Sequence, residues 1–127
     1  MRNAVSTPGA PQAVGPYSQA IRAGSFLFVS GQIAIDPSTG QVVAGDIGVQ
    51  TRRVMENLGE ILKAAGSSFE QVVRTTVYLA DIADFPAMNE VYGQFLTTPA
   101  PARSTIQAAR LPRDSKVEID VIALTSE

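Results

Sequence analysis

Arg103 is the residue of this sequence whose position most clearly invites chemistry. It lies near the start of a run from Ala102 to Ala109 whose small and β-prone residues predict a strand. Alternation along a strand places Arg103, Thr105 and Gln107 on one face. A guanidinium carried toward a protein interior must meet a carboxylate or hold an anionic ligand, because a buried charge without a partner is costly.

Glu118 is the acidic counterpart, and it shares a face with Asp120 in a final predicted strand from Lys116 to Thr125. The connection "RLPRDS" is short enough for a hairpin, which would bring Glu118 near the arginine side. Two interpretations stay open. The two residues could form an ion pair on a solvated sheet face, or Arg103 could hold a carboxylate ligand while Glu118 positions a water.

Four other residues could line a site. Tyr17 follows a stiff Gly-Pro pair, and Ser30 ends an apolar strand with Gly31 behind it, where a backbone could approach a ligand closely. Asn89 lies at the edge of a helix stripe. Each also has a plain structural interpretation: packing for Tyr17, a bulge or turn for Ser30 and Gly31, and a loop cap for Asn89.

The composition excludes several kinds of chemistry. The chain has no cysteine and no histidine, which rules out disulfides, thiolate nucleophiles, His/Cys zinc sites and any imidazole base. Its two lysines, Lys63 and Lys116, lie in no evidently desolvated place, so Schiff-base catalysis is not expected. The net charge of −2 and the lack of basic patches argue against a nucleic-acid partner.

Two amphipathic helices are predicted to support these strands. The first runs from Asp46 to Ala65 and stops at Gly66; the second follows Asp84 as its cap. Apolar residues recur at three- and four-residue intervals in both. Those of the first helix are Ile47, Val54, Leu58, Ile61, Leu62 and Ala65, and those of the second are Phe85, Met88, Val91 or Tyr92, and Phe95.

The remaining strands complete an α+β prediction. Two strands surround a turn at 23–25, and another runs from Val72 to Ala80, which gives the order ββαβαββ with both helices on one face of the sheet. Strands such as Phe26 to Val29 and Val117 to Leu124 are apolar on both sides, yet no third helix is available. A partner subunit is the simplest cover, so we expect a homo-oligomer.

The length and composition predict one domain over 1–127. Hydrophobic residues make up 45% and charged residues 17%, which is typical of a globular chain. Residues 1–12 are rich in proline, glycine and small polar types and are predicted to run as an arm. No stretch has the apolar length of a signal peptide or membrane span, so a soluble cytoplasmic protein without a membrane partner is expected.

Several stretches together resemble the RidA/YjgF family of enamine and imine deaminases. They follow one another in the family's order from about Gly15 to Leu124, and they read "GPYSQA", "FVSGQI", "NLGEILKAAG", "TTVYLADIADFPAMNEVYGQF", "PARSTIQAARLP" and "VEIDVIAL". The resemblance implies a chorismate-mutase-like fold with a six-stranded mixed sheet and two helices on one face. It also implies a homotrimer with a ligand cleft at each subunit interface.

The resemblance further implies hydrolysis of 2-imino acids without a cofactor or metal. The substrates would be 2-iminopropanoate, with its enamine tautomer 2-aminoacrylate, and 2-iminobutanoate. Arg103 would anchor the substrate carboxylate and Glu118 would position the water. The same matching makes Tyr17, Ser30, Gly31, Asn89 and Thr105 substrate-binding residues.

Two departures and two rival functions qualify this prediction. Thr105 stands where many relatives have cysteine, and Ala100 where many have an aromatic residue, which could widen the cleft. A trimer that binds 2-oxo acids or other carboxylates without turnover would use Arg103 but tolerate loss of Glu118. A ribonuclease, translation-inhibitor or chaperone role is disfavoured physically by the acidic composition and the lack of histidine.

Overall fold

The first helix forms where the apolar period predicts it. In the computed structural model, which describes residues 1–126, α1 spans Ile47–Ala64, and all six residues of its predicted stripe are buried. The Asp46 carboxylate accepts a hydrogen bond from the backbone N–H of Val49 at 3.0 Å and so caps the helix. Gly66, at φ +76°, adopts the left-handed conformation that ends it.

The second helix is also confirmed, but its predicted cap is wrong. α2 spans Phe85–Gln94 and buries Met88 and Tyr92. Asp84 makes no capping hydrogen bond. Instead, a 3₁₀ turn precedes the helix, and the carboxylate of Asp81 accepts the N–H of Ala83 at 2.9 Å. The acidic residue that starts the segment therefore caps the turn, three residues before the expected position.

Six strands form one mixed sheet, which confirms the predicted α+β architecture. Their order across the sheet is β1-β2-β3-β8-β6-β7, and only the β6–β7 pair is parallel. A separate two-stranded ribbon, β4 with β5, flanks the predicted turn at 36–40. The bounds are Arg2–Val5 (β1), Ala20–Ala23 (β2), Phe26–Gln32 (β3), Ile35–Asp36 (β4), Gln41–Val42 (β5), Val72–Leu79 (β6), Ala102–Gln107 (β7) and Val117–Leu124 (β8).

The N-terminal segment differs from the predicted arm. Residues 2–5 form β1 and pair with β2, so this segment supplies the sixth strand that the order ββαβαββ lacks. The buried Gln19 holds the residues that follow β1. Its side-chain amide donates to the carbonyls of Pro11 at 2.8 Å and Thr7 at 3.0 Å. Backbone pairing and one buried glutamine thus hold a segment whose own residues carry little apolar pattern.

The hairpin predicted between the last two strands is wrong. β7 pairs only with β6 and lies at the sheet edge, whereas β8 lies between β3 and β6. The central place suits β8, because its side chains are apolar on both faces near its end. β7 carries Arg103, Ser104 and Gln107, which an edge strand accommodates readily.

The two faces of the sheet have different surroundings. One face packs against α1 and α2, and its residues on β3, β6 and β8 form the core. The opposite face carries large apolar side chains that remain 42–49% exposed: Phe26, Phe28, Ile106 and Leu124. We call this the open face. Within residues 1–126, no helix is both long and apolar enough to cross a bilayer.

Candidate active site

Arg103 lies on the helix side of β7, surrounded by residues of α2. Its Nη1 donates to Asn89 Oδ1 at 2.6 Å. The guanidinium carbon lies 5.2 Å from the centroid of the Phe85 ring and 5.0 Å from that of Tyr92. Tyr92 is itself held by a hydrogen bond of 2.8 Å between its hydroxyl and that of Thr75. Two aromatic faces and an amide therefore fix the orientation of the guanidinium.

The charge of Arg103 has no acidic partner in the described chain. Across residues 1–126, no carboxylate oxygen lies within 4.0 Å of its nitrogens. The side chain is only half-buried, so the protein does not enclose all of its remaining N–H donors. Two residues along the strand, the Thr105 hydroxyl is buried and lacks a hydrogen-bond partner. Among acceptors, a carboxylate matches the planar guanidinium fork best.

Glu118 lies on the opposite face of the sheet from Arg103. Arg103 pairs across the sheet with Thr75, whose side chain is in the core layer, and Glu118 pairs with Tyr78, three residues further along β6. An odd offset along a strand reverses the face. The predicted proximity of Arg103 and Glu118 is therefore wrong within one chain, as is the alternative of an ion pair between them.

A cavity of about 480 Å³ adjoins Glu118. Tyr17 and Gly31, two of the predicted binding residues, line it together with Glu118, whereas Arg103, Asn89 and Thr105 do not. The predicted site residues thus separate into two groups on one chain. We call Arg103, Asn89 and Thr105 the anchor half, and Tyr17, Gly31 and Glu118 the acid half.

Ser30 supports the acid half without lining the cavity. Its hydroxyl donates to the carbonyl of Ser18 at 2.6 Å, and its backbone N–H donates to the carbonyl of Gln19 at 2.9 Å. These bonds hold the segment that carries Tyr17 against the end of β3. Tyr17 is 52% exposed, and its hydroxyl accepts the N–H of Val14 at 3.4 Å.

Gly31 allows Glu118 to approach the backbone of β3. A Cβ built at Gly31 would overlap Glu118 Oε2 and lie 2.9 Å from its carboxyl carbon. The backbone of Gly31 needs no left-handed conformation. The glycine is required here for space, and the group that occupies this space is the Glu118 side chain. The sequence interpretation, that the backbone approaches a ligand here, stays a prediction.

Substitution of Gly31 by alanine should therefore displace the Glu118 carboxylate without unfolding the chain. We expect turnover to fall by about a hundredfold, because a shift of about 1 Å in a reacting group has effects of that order. Steady-state kinetics with circular dichroism as a fold check would measure this. Gly93→Ala is a suitable control, because a Cβ at Gly93 meets no atom within 4 Å. Gly24→Ala is not, because Gly24 has φ +60° and an alanine there would be strained. Equal effects of the two substitutions would contradict this role.

The surroundings of Glu118 favour its protonated form more than water does. Burial raises the pKa of the Glu118 carboxyl, and the charge of Asp120 on the same face raises it further. Tyr78, which lies opposite Glu118, donates its hydroxyl to Asp120 Oδ2 at 3.2 Å. A carboxylate with a raised pKa is a better proton acceptor for water than an ordinary one.

Replacing Asp120 with asparagine should shift the pH dependence of catalysis. Removing the neighbouring negative charge lowers the pKa of Glu118, so the acid limb of the kcat/KM profile should move to lower pH. Glu90→Gln, on an exposed part of α2, is the charge-matched control and should leave the limb in place. A limb unmoved in Asp120→Asn would show that Glu118 does not set it.

Several residues of the cavity and the anchor were not predicted as site residues. The apolar period of α2 predicts Phe85 and Tyr92 only as residues of its buried stripe, yet their rings also flank Arg103. Pro11 and Arg113 lie on loops with no alternation or helical period to point to them. The complete set that lines the cavity beyond the predicted residues is Pro11, Gln12, Val14, Gln32, Ile33, Ile35, Pro112 and Arg113.

Comparison with protein families gives a match over nearly the whole chain. The model of the endoribonuclease L-PSP family matches residues 7–125. The chain belongs to this family. The predicted resemblance is thereby confirmed, since relatives of this L-PSP family chain include proteins named RidA and YjgF.

Three relatives illustrate the similarity in sequence and in fold, and one of them is named as a deaminase. The human 2-iminobutanoate/2-iminopropanoate deaminase is 48% identical over 124 residues, covering 98% of this chain and 90% of the human protein. A RutC family protein of Pyrococcus horikoshii is 52% identical over 123 residues, covering 97% and 98%. A crystal structure of a candidate endoribonuclease from Thermotoga maritima superposes with a TM-score of 0.96 at 46% identity, covering 100% of both chains.

Proposed function

We propose that this chain hydrolyses reactive 2-imino acids and their enamine tautomers to 2-oxo acids and ammonia. The substrates would be short-chain species, 2-iminopropanoate with its tautomer 2-aminoacrylate, and 2-iminobutanoate. The observation that carries the proposal is Arg103: a half-buried guanidinium, oriented by Asn89 and two rings, without an acidic partner in residues 1–126. The name of the human relative supports the same activity.

Because the anchor half and the acid half are separated on one chain, we place the proposed cleft between subunits. Arg103 and Glu118 lie on opposite faces of one sheet, so a cleft that contains both needs two copies of the chain. In a closed ring of three, each chain would give its anchor half to one neighbour and its acid half to the other. The open face, with Phe26, Phe28 and Leu124 exposed, supports burial of this sheet in such a homotrimer.

Substrate binding would begin at the anchor half. Arg103 pairs with the substrate carboxylate in a bidentate manner, and Asn89 holds the guanidinium in the required plane. The carboxylate fixes C2 of the imine at a set distance from the acid half of the neighbouring subunit. Such orientation replaces a random encounter with a bound geometry, which is a large part of catalysis of this kind.

Hydrolysis would then use Glu118 as the proton acceptor. Glu118, with the backbone carbonyl of Thr105 from the anchor half, holds a water and takes one of its protons as the oxygen attacks C2 of the protonated imine. Glu118 then returns this proton to the nitrogen of the carbinolamine. The C–N bond breaks, ammonia leaves, and the hydroxyl group passes its proton to solvent, giving the 2-oxo acid. Tyr17 and Gly31 line the wall on which the reacting carbon rests, and Ser30 supports that wall from behind. General base catalysis of this type is worth about a hundred- to ten-thousandfold.

A trapping assay tests this activity. An amino-acid oxidase generates 2-iminobutanoate, and semicarbazide traps whatever imine remains. The chain should reduce the amount of semicarbazone in proportion to its concentration and release 2-oxobutanoate and ammonia in equal amounts. Semicarbazone formation identical with and without the protein, combined with measurable binding of 2-oxobutanoate, would instead identify a carboxylate-binding protein without turnover.

A further inference from the structure

The cavity at Glu118 contains a second charged residue that the proposed reaction does not use. Arg113 lines this cavity, and it and Glu118 are the only charged residues among those that do. The other lining residues include Ile33, Ile35 and Pro112, which give the wall an apolar character. A cavity with a carboxylate, a cation and an apolar wall between loops has the composition of a ligand site.

The backbone at Arg113 is unusual for its residue type. Arg113 has φ +56° and ψ +27°, and Asp114, which follows it, has φ +55°. Consecutive non-glycine residues in the left-handed region are uncommon, and such conformations occur often at ligand sites. Asp114 is held by Arg110, whose Nε donates to Asp114 Oδ1 at 2.7 Å. The loop therefore keeps Arg113 in a defined place.

The side chain of Arg113 is fixed as well as its backbone. Its Nη1 donates to the carbonyl of Gly40 at 3.0 Å and its Nη2 to Gln41 Oε1 at 3.4 Å, both on the β4–β5 ribbon. Both acceptors are neutral, and throughout residues 1–126 no carboxylate oxygen lies within 4.0 Å of the guanidinium. The positive charge at the cavity is thus uncompensated, and other N–H donors of its fork remain for a ligand.

We propose that Arg113 is a second carboxylate-binding residue, which extends the substrate range to 2-imino acids that carry a carboxylate on the side chain. The inference rests on the proposed function, in which Arg103 of the adjoining subunit holds the carboxylate next to C2. The side-chain carboxylate then reaches Arg113, and the methylene groups between them lie on Ile33 and Ile35. The reaction is the same hydrolysis, with one water consumed and one ammonia released.

The size of the cavity agrees with this substrate class. The cavity has a volume of about 480 Å³, which lies within the range of small-molecule sites and leaves room for a side-chain carboxylate. This volume is compatible with a substrate longer than 2-iminopropanoate.

A comparison of two substrates on three proteins tests the proposal. The wild type, Arg113→Gln and Arg52→Gln are assayed with 2-iminobutanoate and with 2-iminoglutarate, both made by oxidases in the presence of semicarbazide. Arg52 is the matched control because it carries the same charge, likewise donates to a glutamine side chain, and does not line the cavity. Arg113→Gln should lower kcat/KM for 2-iminoglutarate about tenfold or more and change that for 2-iminobutanoate by less than about twofold. Arg52→Gln should change kcat/KM for neither substrate.

Each other outcome contradicts the role of Arg113. Equal losses on both substrates would assign Arg113 to loop structure, and no loss on either would exclude any contact with substrate. Calorimetry with the products 2-oxoglutarate and 2-oxobutanoate keeps the test separate from turnover. If the wild type turns over neither imine, the proposed function fails; Arg113 is then still tested by whether Arg113→Gln weakens 2-oxoglutarate binding alone.

Discussion

Replacing Arg103 with alanine should lower kcat/KM for 2-iminobutanoate by about two to three orders of magnitude, the usual effect of deleting one partner of a desolvated charge pair. The fold should survive. Arg103 lies on the edge strand β7, and its removal leaves the Asn89 amide free to meet water. The trapping assay measures the first effect, and thermal unfolding measures the second.

Arg52→Ala is a matched control for this substitution. Arg52 makes the same two kinds of contact, a hydrogen bond of 2.6 Å to the Gln94 amide and a position 5.6 Å above the Phe95 ring, at a surface away from both halves. It should keep wild-type turnover. The kcat/KM of Arg103→Lys should lie between those of Arg103→Ala and Arg52→Ala, because an ammonium keeps the charge but loses the planar fork. An Arg103→Ala protein that keeps most of the wild-type activity would contradict the role of Arg103 in binding the substrate carboxylate.

Replacing Phe28 with glutamate should separate the subunits and abolish turnover. Phe28 is 46% exposed on the open face, where it packs against Phe26 with ring centroids 6.4 Å apart. A carboxylate there would be buried without a partner in the proposed trimer, at a cost that such an interface does not offset. The core lies on the other face of the sheet, so the monomer should remain folded. Analytical ultracentrifugation and the trapping assay measure the two effects.

Val49→Glu supplies the comparison for Phe28→Glu. Val49 is 48% exposed, but it lies on α1, in the layer away from the open face. The same change of type at the same exposure should leave both assembly and activity unaltered. A Phe28→Glu protein that is monomeric yet active would contradict a cleft between subunits, and a wild type that is monomeric would contradict the trimer itself.

Much of the fold was predictable because its local signals are strong. The apolar period of α1 and the stop at Gly66 were both predicted, and both agree with the structure. Asp46, predicted as the first residue of the helix, is its N-cap. The neighbours of β7 and β8 were not predictable from the length of the loop between them. A short loop permits a hairpin, but a chain can also pass over an intervening strand, and here β6 lies between them.

The candidate site was predictable as a set of residues and not as an arrangement. Alternation correctly placed Arg103 opposite Ile106, and Glu118 with Asp120, on their own strands. Whether two strands direct these residues to the same face depends on register, which only pairing with β6 fixes. Arg113 escaped prediction for another reason: its left-handed backbone has no signature in an arginine side chain.

In the proposed cleft, Arg103 and Glu118 act together from two different chains. The direct test of this cleft mixes Arg103→Ala with Glu118→Gln, each inactive alone, and refolds them together in equal amounts. One cleft in four would receive both intact residues, so about a quarter of wild-type activity should return. As a control, the double variant refolded with an equal amount of wild type should also retain about a quarter of the activity if clefts lie between chains, and about half if each chain carries its own. A mixture of the single variants that stays as inactive as its components would contradict the shared cleft.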